Sequence, residues 1–423
     1  MTQAKAKPRK GFLFDVRVLE LAGVQGEFCG KLLAGAGAEV VKVEPPGGNP
    51  TRRIGPFYQD QEDPERSLHF WHYNFGKRGV TLDVTTSEGQ DLLKALVPKF
   101  DVLVETFPPG FLSKLGLGYD VLSALNPRLV MASITPFGQS GPWRGWEASD
   151  IVHLALGGVM MNCGYDRTPE SEYDTPPIAP QMWHSSHIVG EQTYMAILGA
   201  LLWRARSGRG QYIDAPIHQA VNTNTEMDVP TWVYQRVPLY RQTGRHAATR
   251  ATPNIQAITK DGRYVLISRG ISGSALGPIK MLKDNKVSAE LEDPKFQDPK
   301  YLSQAAVQER LEYLTKQWVM AYKFERDLWH EGQKRELHWA PVRKPEENLS
   351  DPNWLERETF TQVHHEEIER TLTYLGAPWL AETCPWRTGP RAPHIGEHNP
   401  EVFGKELGLS ARKIAALRRA KVI

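Results

Sequence analysis

The segment 183–187 combines histidine and serine side chains, which can support acyl-transfer chemistry. It reads Trp183-His184-Ser185-Ser186-His187. A serine that donates its proton to a neighbouring histidine can act as a nucleophile. Adjacency in sequence does not create that hydrogen bond, and no GxSxG motif surrounds these serines. Because serine is a preferred N-cap residue, we predict that Ser185 or Ser186 caps the helix that follows.

Two other groups of residues have the types that bind metals. His364-His365-Glu366-Glu367 is the first, but adjacent residues point to different sides of a regular element, which favours a solvated charged face. His394 and His398 are four residues apart, yet the prolines and the glycine around them argue against one helical face and favour a polar loop. The sequence therefore predicts no metal site.

Composition excludes several classes of function. The chain has 423 residues, and 51 Lys+Arg against 49 Asp+Glu leave a formal charge of +2, which gives no global field for nucleic acid. Three cysteines without zinc or disulfide spacing indicate a reducing compartment. The longest apolar run, Met195–Trp203, is far shorter than the roughly 20 residues of a membrane span, and the basic start 1–10 lacks a signal-peptide pattern. We expect a cytoplasmic protein that binds neither nucleic acid nor membrane.

The first half of the chain alternates strand and helix patterns that could position such residues. Apolar alternation predicts strands at 16–21 and 39–44, separated by a helix-length segment, 26–37. Further strands are predicted at 80–84, 101–105 and 129–134, and a helix is predicted to begin at Thr86-Ser87-Glu88. This order predicts an α/β fold with a parallel, nucleotide-fold-like sheet.

The second half suggests a smaller domain inserted into the first. A long helix is predicted over 188–206, closed by Gly208, and a strand follows at 211–217. After Asn222 the chain becomes polar and charged, with one strand at 262–267. We therefore predict a large domain whose N-terminal part is 1–225, a linker and small α+β domain over 226–338, and a return segment, 339–423, that completes the large domain.

Short motifs in a fixed order give the chain a family resemblance. Read together, they resemble the class III CoA-transferases, the family of formyl-CoA transferase, carnitine CoA-transferase and the α-methylacyl-CoA racemases. The motifs include Gly23-Val24-Gln25, Gly37-Ala38-Glu39-Val40-Val41-Lys42-Val43-Glu44, Asn74-Phe75-Gly76-Lys77-Arg78, Phe137-Gly138-Gln139-Ser140-Gly141-Pro142, Ser207-Gly208-Arg209-Gly210-Gln211 and Ile395-Gly396-Glu397-His398.

The resemblance implies a Rossmann-like large domain made from both chain ends, a small domain, and two interlocked subunits. It also implies the transfer of CoA from a thioester to a free carboxylate, with coenzyme A or acyl-CoA as substrate and no metal. In such enzymes an aspartate attacks the donor thioester and carries CoA as an aspartyl thioester. A carboxylate suits this reversible reaction because its anhydride and thioester keep their acyl-transfer potential.

The chain departs from the family pattern at the position of that aspartate. Counting back from Gly208, the position falls on Ser186, or on Ser185 if the register shifts by one. The racemase branch has a histidine where this chain has Ser149. The resemblance therefore implies that the chain lacks the aspartyl nucleophile of the transferases and the histidine and aspartate that the racemase branch uses.

Other positions resemble those that contact CoA in relatives: Gln25, Leu82, Asp83, Thr106 and Lys114. Pro45 stands at a position where relatives commonly carry an arginine. A lysine position of the formyl-CoA transferases falls near Glu147. The Gly-rich loop expected over 246–252 has no glycine. These features predict a CoA site with fewer charged contacts.

Three hypotheses follow for function. The first is a subunit of a heteromeric enzyme similar to the succinyl-CoA:(R)-benzylsuccinate CoA-transferases of toluene degradation, paired in an interlocked heterodimer or heterotetramer with a homologue that carries the aspartate. The second is a homomeric isomerase- or racemase-like acyl-CoA enzyme with chemistry relocated to His184, His187 or Asp150. The third is a non-catalytic acyl-CoA-binding scaffold. Four tryptophans are compatible with an aromatic substrate but are more typical of core packing: Trp183, Trp203, Trp232 and Trp339.

Overall fold

A computed structural model describes residues 10–268, 276–322 and 326–423 of the chain. Most of the basic start, 1–9, and two short stretches of the predicted small domain, 269–275 and 323–325, lie outside these residues. The strands are β1 (Arg17–Leu21), β2 (Glu39–Glu44), β3 (Arg78–Thr81), β4 (Val102–Glu105), β5 (Val130–Thr135), β6 (Tyr212–Pro216), β7 (Tyr240–Gln242), β8 (Arg245–Ala248), β9 (Gln256–Ile258), β10 (Tyr264–Ser268), β11 (His338–Pro341), β12 (Phe360–His365) and β13 (Arg370–Leu375).

The helices alternate with these strands in the first half of the chain and are concentrated between β10 and β11 in the second. They are α1 (Glu27–Gly35), α2 (Leu68–Asn74), α3 (Ser87–Leu96), α4 (Phe111–Lys114), α5 (Tyr119–Leu125), α6 (Asp150–Leu156), α7 (His184–Ser207), α8 (Ile217–Thr223), α9 (Asp228–Gln235), α10 (Leu276–Asp284), α11 (Pro299–Leu302), α12 (Ala305–Met320), α13 (Arg326–Gln333), α14 (Pro352–Glu356) and α15 (Ala411–Arg419). Within the described ranges, no helix combines the length and apolar character needed to cross a membrane.

The chain divides into two compact units. The first contains the described residues up to Val159 together with Pro180–Thr225 and Leu349–Ile423. The second contains Met160–Ala179 and the described residues of Glu226–Asn348. Both chain ends therefore belong to one unit.

The first unit is built on a six-stranded sheet. Its strand order is β3-β2-β1-β4-β5-β6, and all five neighbouring pairs are parallel. The strands β1, β2, β4 and β5 are buried along nearly their whole length, which fits their apolar-rich sequences, whereas the edge strand β6 is only partly buried. This is the doubly wound α/β architecture predicted above.

The strand β3 differs in its bounds from the prediction. It begins at Arg78 and ends at Thr81, whereas the expected strand was 80–84. The chain leaves the sheet after Thr81: the Leu82 amide donates to the Glu44 carbonyl at 2.7 Å, and the Asp83 amide donates to the Val422 carbonyl at 2.8 Å. Strand β2 thus fixes the position of Leu82, and the C-terminal segment fixes that of Asp83.

The helix α7 packs closely against α1. A Cβ atom at Gly190 would lie 3.0 Å from Cδ1 of Phe28 and 3.1 Å from the amide of Cys29, so a larger residue would require α1 to shift. The helix ends as predicted at Gly208, which has φ of +75° and donates its amide to the Arg204 carbonyl. The packing holds the N-terminal end of α7 beside α1 and α2.

The second unit contains a three-stranded antiparallel sheet in the order β11-β10-β9. Trp339 pairs with Ile267 in this sheet and is 1% exposed in the core of the unit. The return to the first unit consequently begins at Leu349, and not at residue 339 as the sequence suggested, because 339 is a sheet residue.

The hairpin of β12 and β13 changes the interpretation of the 364–367 segment. His365 is fully buried, with Nδ1 2.8 Å from Glu367 and Nε2 2.9 Å from the Tyr374 hydroxyl. The prediction of a solvated face is wrong for His365, because pairing of the two strands turns its ring against Trp71, 4.3 Å away between centroids. Among the described residues, no three His, Cys, Asp or Glu side chains form a group that could hold a metal ion.

Candidate functional site

The candidate site lies at the carboxyl ends of the two central strands of the first unit. Strand β1 has β2 on one side and β4 on the other, so the order of the sheet reverses between β1 and β4. Ligands of doubly wound folds bind in the crevice outside the strand ends at such a switch point. Here the loops after β1 and β4 meet, and the Gly23 amide donates to the Thr106 hydroxyl at 2.8 Å.

A first cleft opens on the β2 and β3 side of this crossing. It has a volume of about 530 Å³ and is lined by Leu82, Asp83 and Thr106. The loop after β2 also lines it, through Pro45 and Asn49. Its size falls within the range of small-molecule sites in proteins.

A second cleft opens on the β5 side. Its volume is about 670 Å³, and its lining includes Gln25, Thr106 and Lys114. The segment between β5 and α6 completes it with Arg144, Trp146 and Glu147. Thr106 lines both clefts, so the two spaces adjoin along the β4 loop.

A buried ion-pair network holds the loop after β1 in place. Nζ of Lys42 lies 3.0 Å from Glu20 and 2.9 Å from Glu27, and it also donates to the Ala22 carbonyl at 2.8 Å. Burial alone would raise the pKa of Glu27, but Lys42 together with His69 and Lys77 holds it well below its usual range. Removing one partner of such a network leaves an uncompensated buried charge, so these residues position the loop that carries Gln25.

The N-terminal end of α7 is organised differently. The helix begins at His184, and its N-cap is Trp183 with φ of +64°. Ser185 and Ser186 lie inside the first turn, so the prediction that one of them is the cap is wrong. The acceptor comes instead from α6: Asp150 Oδ1 accepts from the Ser185 amide at 2.8 Å and from its hydroxyl at 2.6 Å.

The histidine that follows Ser186 is also occupied. Nε2 of His187 lies 2.6 Å from the Tyr73 hydroxyl, and its ring stacks on Phe28 with centroids 4.1 Å apart. Burial and the nearby Lys31 lower the pKa of His187 to about 4. The ring is therefore neutral at physiological pH. Among the described residues, it hydrogen-bonds to Tyr73 and not to Ser185 or Ser186.

Lys31 is the second basic group packed beside this helix end. Its Nζ lies 2.9 Å from Nε2 of His72, and the residue is 7% exposed. Burial, with Lys77 nearby, lowers the pKa of Lys31 to about 7, and burial beside Lys31 lowers that of His72 to about 3. Near neutral pH His72 is therefore uncharged, and about half of the Lys31 amines carry a charge.

Comparison with known proteins decides the family. Residues 13–399 match the model of CoA-transferase family III. The chain belongs to this family. It is 32% identical over 415 residues to the succinyl-CoA:(R)-benzylsuccinate CoA-transferase subunit BbsE of Thauera aromatica, covering 95% of this chain and 96% of the relative. It is 31% identical over 413 residues to a succinyl-CoA–D-citramalate CoA-transferase of Chloroflexus aurantiacus, covering 97% and 98%.

A solved structure supports the fold. A CAIB/BAIF family protein from Brucella suis superposes with a TM-score of 0.79 at 26% identity, covering 94% of this chain and all of the other. The predicted α/β family fold is therefore confirmed.

The two clefts bring together the five positions that resemble CoA-contacting residues of family III. Leu82 and Asp83 line the first cleft, Gln25 and Lys114 line the second, and Thr106 lines both. Their contact with CoA stays a prediction. The Asp83 carboxylate accepts hydrogen bonds from the Thr85 amide at 2.9 Å and from the Thr85 hydroxyl at 2.6 Å.

Pro45, where the family resemblance leads us to expect a cation, lines the first cleft, and none of the described residues that line this cleft is a lysine or arginine. The guanidinium of Arg52, which follows in the same loop, is 1% exposed and donates to Glu44 through Nε at 2.7 Å and Nη2 at 2.8 Å. It also pairs with Glu65 at 2.8 Å. Lys114 and Arg144 are therefore the cationic side chains that line the second cleft.

The tryptophans singled out from the sequence fall into different environments. Trp339 lies in a core, as expected from the sequence. Trp203 and Trp232 are more than half exposed, so core packing does not describe them. Sequence reasoning missed Asp150 as the partner of Ser185, since the two are 35 residues apart. It also missed Trp146 in the second cleft, for which its position between Gly145 and Glu147 gave no signal.

Proposed function

We propose that this chain is the subunit without the aspartyl nucleophile in a heteromeric CoA-transferase of family III. The complex moves CoA from a donor thioester such as succinyl-CoA to a carboxylic acid, with an aryl-substituted acid such as (R)-2-benzylsuccinate as acceptor. One observation carries this proposal: Asp150, the carboxylate bonded at this helix end, is already engaged by Ser185. The family resemblance implies that the neighbouring Ser186 stands at the nucleophile position.

The contacts of Ser186 and its neighbours support this view. Ser186 is 5% exposed and Ser185 is 1% exposed, so neither presents a free hydroxyl to a bulky thioester. A serine nucleophile needs a base within hydrogen-bond reach, and Ser185 has Asp150 instead of a histidine as its partner. His187 is held by Tyr73.

The clefts support CoA binding by the same chain. Phosphate groups are held by cationic side chains, and Lys114 and Arg144 line one cleft. The pantetheine arm of CoA is long and largely uncharged, which suits the apolar walls provided by Leu82 and Phe107 in the adjoining cleft. We expect Gln25, Asp83 and Thr106 to contact CoA as well.

The partner is a homologous chain with an aspartate at the position of Ser186, in an interlocked heterodimer or heterotetramer located in the cytoplasm. The name of the Thauera relative supports this, because that protein is described as a subunit. The same name supports an aryl-substituted acceptor acid.

The reaction in the complex balances without water or an oxidant. The partner's aspartate attacks the donor thioester and releases CoA thiolate, which then attacks the aspartyl carbonyl and releases the donor acid. The acceptor carboxylate attacks this aspartyl thioester and frees the thiolate, and the thiolate attacks the acceptor carbonyl and regenerates the aspartate. This chain binds CoA, completes the assembly and supplies no covalent step.

The test is co-expression with an aspartate-bearing homologue, followed by measurement of CoA transfer from succinyl-CoA to benzylsuccinate. The complex is expected to turn over, and this chain alone is expected to show transfer at least about a thousandfold lower, as for removal of a nucleophile. Ser186→Ala in this chain should change the rate less than twofold, while Asp→Ala in the homologue should remove transfer.

The homomeric alternative with relocated chemistry makes the opposite prediction. It requires turnover of an acyl-CoA by this chain alone and loss of that turnover when His184, His187 or Asp150 is replaced. CoA binding without turnover, unchanged by any homologue, would leave the scaffold hypothesis in place of both.

A further inference from the structure

Two tryptophan rings form a stacked pair in the loop between β5 and α6. The centroids of Trp143 and Trp146 are 5.0 Å apart, and their planes differ by 16°. Phe137 meets both rings edge-on at 82°, with centroids 5.7 Å from Trp143 and 6.2 Å from Trp146. The Trp146 amide also donates to the Trp143 carbonyl at 2.8 Å, so the backbone turn and the rings fix one another.

The outer ring of this pair is open to solvent. Trp146 is 56% exposed and Trp143 is 38% exposed. In the described part of the chain, the ring contacts of Trp146 are those with Trp143 and Phe137, which leaves one indole face uncovered. A rigid, exposed indole of this kind offers a large apolar surface for a flat ring at low conformational cost.

The position of the pair connects it to the candidate site. Trp146 lines the second cleft together with Gln25, Lys114 and Arg144. Neither cationic side chain forms an ion pair within the described ranges, and Glu147 is the acidic residue of the lining. The cleft thus combines one free aromatic face with two cations, which is the complement of an anion that carries a flat ring.

We propose that Trp146, supported from behind by Trp143, is a specificity-determining residue that stacks on the aromatic ring of an anionic ligand in the second cleft. This inference rests on the proposed function. Two parts of an acyl-CoA have this chemistry: the adenine of the nucleotide and the aryl group of an aryl-substituted acyl chain. An indole can stack on either of these rings, because each has a π face.

Isothermal titration of four variants with four ligands tests the proposal. The variants are wild type, Trp146→Ala, Trp146→Phe and Trp203→Ala; Trp203 lies on α7 outside the clefts and has the same 56% exposure as Trp146. The ligands are CoA, 4′-phosphopantetheine, phenylpropionyl-CoA and butyryl-CoA.

If adenine stacks on Trp146, Trp146→Ala weakens CoA by about tenfold and leaves 4′-phosphopantetheine unchanged. If the aryl group stacks there, the variant weakens phenylpropionyl-CoA by about tenfold relative to butyryl-CoA and leaves CoA unchanged. In either case Trp146→Phe restores most of the loss, and Trp203→Ala matches wild type for every ligand.

Equal affinities of wild type and Trp146→Ala for all four ligands would overturn the stacking role while leaving the proposed function intact. Wild type that binds none of the ligands would overturn the CoA site and the stacking role together. A changed oligomeric mass of Trp146→Ala in size-exclusion chromatography, with unchanged affinities, would assign the pair to a subunit contact instead.

Discussion

The clefts at the switch point and the N-terminal end of α7 are built in opposite ways. In the clefts, side chains such as Lys114, Arg144 and Trp146 face open space and have no described ion pair. At the helix end, polar side chains are joined to one another: Ser185 to Asp150, His187 to Tyr73 and Lys31 to His72. Open polar groups are available to a ligand, whereas paired and buried ones stabilise the fold.

This difference gives the first unit a divided role. The second cleft keeps the cationic side chains of Lys114 and Arg144 free of described ion pairs, whereas the polar side chains at the N-terminal end of α7 are bonded to one another. A subunit that binds CoA and leaves the covalent steps to a partner needs this combination.

The largest expected effect concerns the N-terminal end of α7, which we call the closed region, in contrast to the two clefts, the open region. The buried amine of Lys31 makes the stability of the closed region depend on pH. Its folded pKa of about 7 lies below the 10.5 of an ordinary lysine, so the folded state binds fewer protons than the unfolded state between these values. Burying the charged Lys31 amine therefore lowers the free energy of unfolding by its full amount below about pH 7. This loss of stability disappears above the unfolded pKa, where the amine is neutral in both states. We expect Lys31→Met to stabilise the protein by up to about 4 kcal/mol at pH 7, and by about 2 kcal/mol less at pH 9.

Urea unfolding of wild type and Lys31→Met at the two pH values checks this prediction. Lys413→Met is the matched control, because Lys413 is exposed on α15 and its removal should leave the pH dependence unchanged. A gain in Lys31→Met that is the same at both pH values would show that the amine is charged and solvated in the folded protein.

An intermediate effect is expected for Asp150, which joins α6 to α7. Asp150→Ala removes the acceptor of two donors on Ser185, and the loss should cost about 2 to 3 kcal/mol of unfolding free energy. Asp150→Asn keeps an acceptor oxygen and should cost about 1 kcal/mol. In the reconstituted complex Asp150→Asn should keep its transfer activity, and loss of activity in this stable variant would place chemistry in the closed region.

The smallest effect is expected for Lys114 in the open region. Lys114→Met removes one exposed cation from the second cleft, so CoA should bind about three- to tenfold more weakly at low ionic strength, with a smaller difference in high salt. Calorimetric titration with CoA measures this change. The control Lys99→Met, outside the clefts, should bind like wild type, and an unaltered affinity in Lys114→Met would remove this residue from the CoA site.

The strands and helix ends of the first unit could be predicted from the sequence, because apolar patterns and glycine or proline residues within each segment determine them. The strand β2 was expected and is found at Glu39–Glu44, where a left-handed turn at Gly37 precedes the run and Pro45 ends it. The end of α7 at Gly208 follows from the same kind of signal. Family register then identified five positions that the fold brings to two adjoining clefts.

The failures share a different cause, which is tertiary contact. Serine is a good N-cap in isolation, but Asp150 from another helix bonds Ser185 inside the first turn. His365 lies in a run of charged residues, yet the hairpin buries it against Tyr374. The stacked pair of Trp143 and Trp146 depends on a backbone turn, and helical or strand periodicity does not reveal it.

The most direct test of the central claim is the location of the covalent intermediate. The complex of this chain with an aspartate-bearing homologue is incubated with succinyl-CoA, trapped with hydroxylamine and analysed by peptide mass spectrometry. The account predicts a hydroxamate on the homologue's aspartate and unmodified peptides containing Asp150 and Ser186 in this chain. A hydroxamate on Asp150, or on any other carboxylate of this chain, would contradict it.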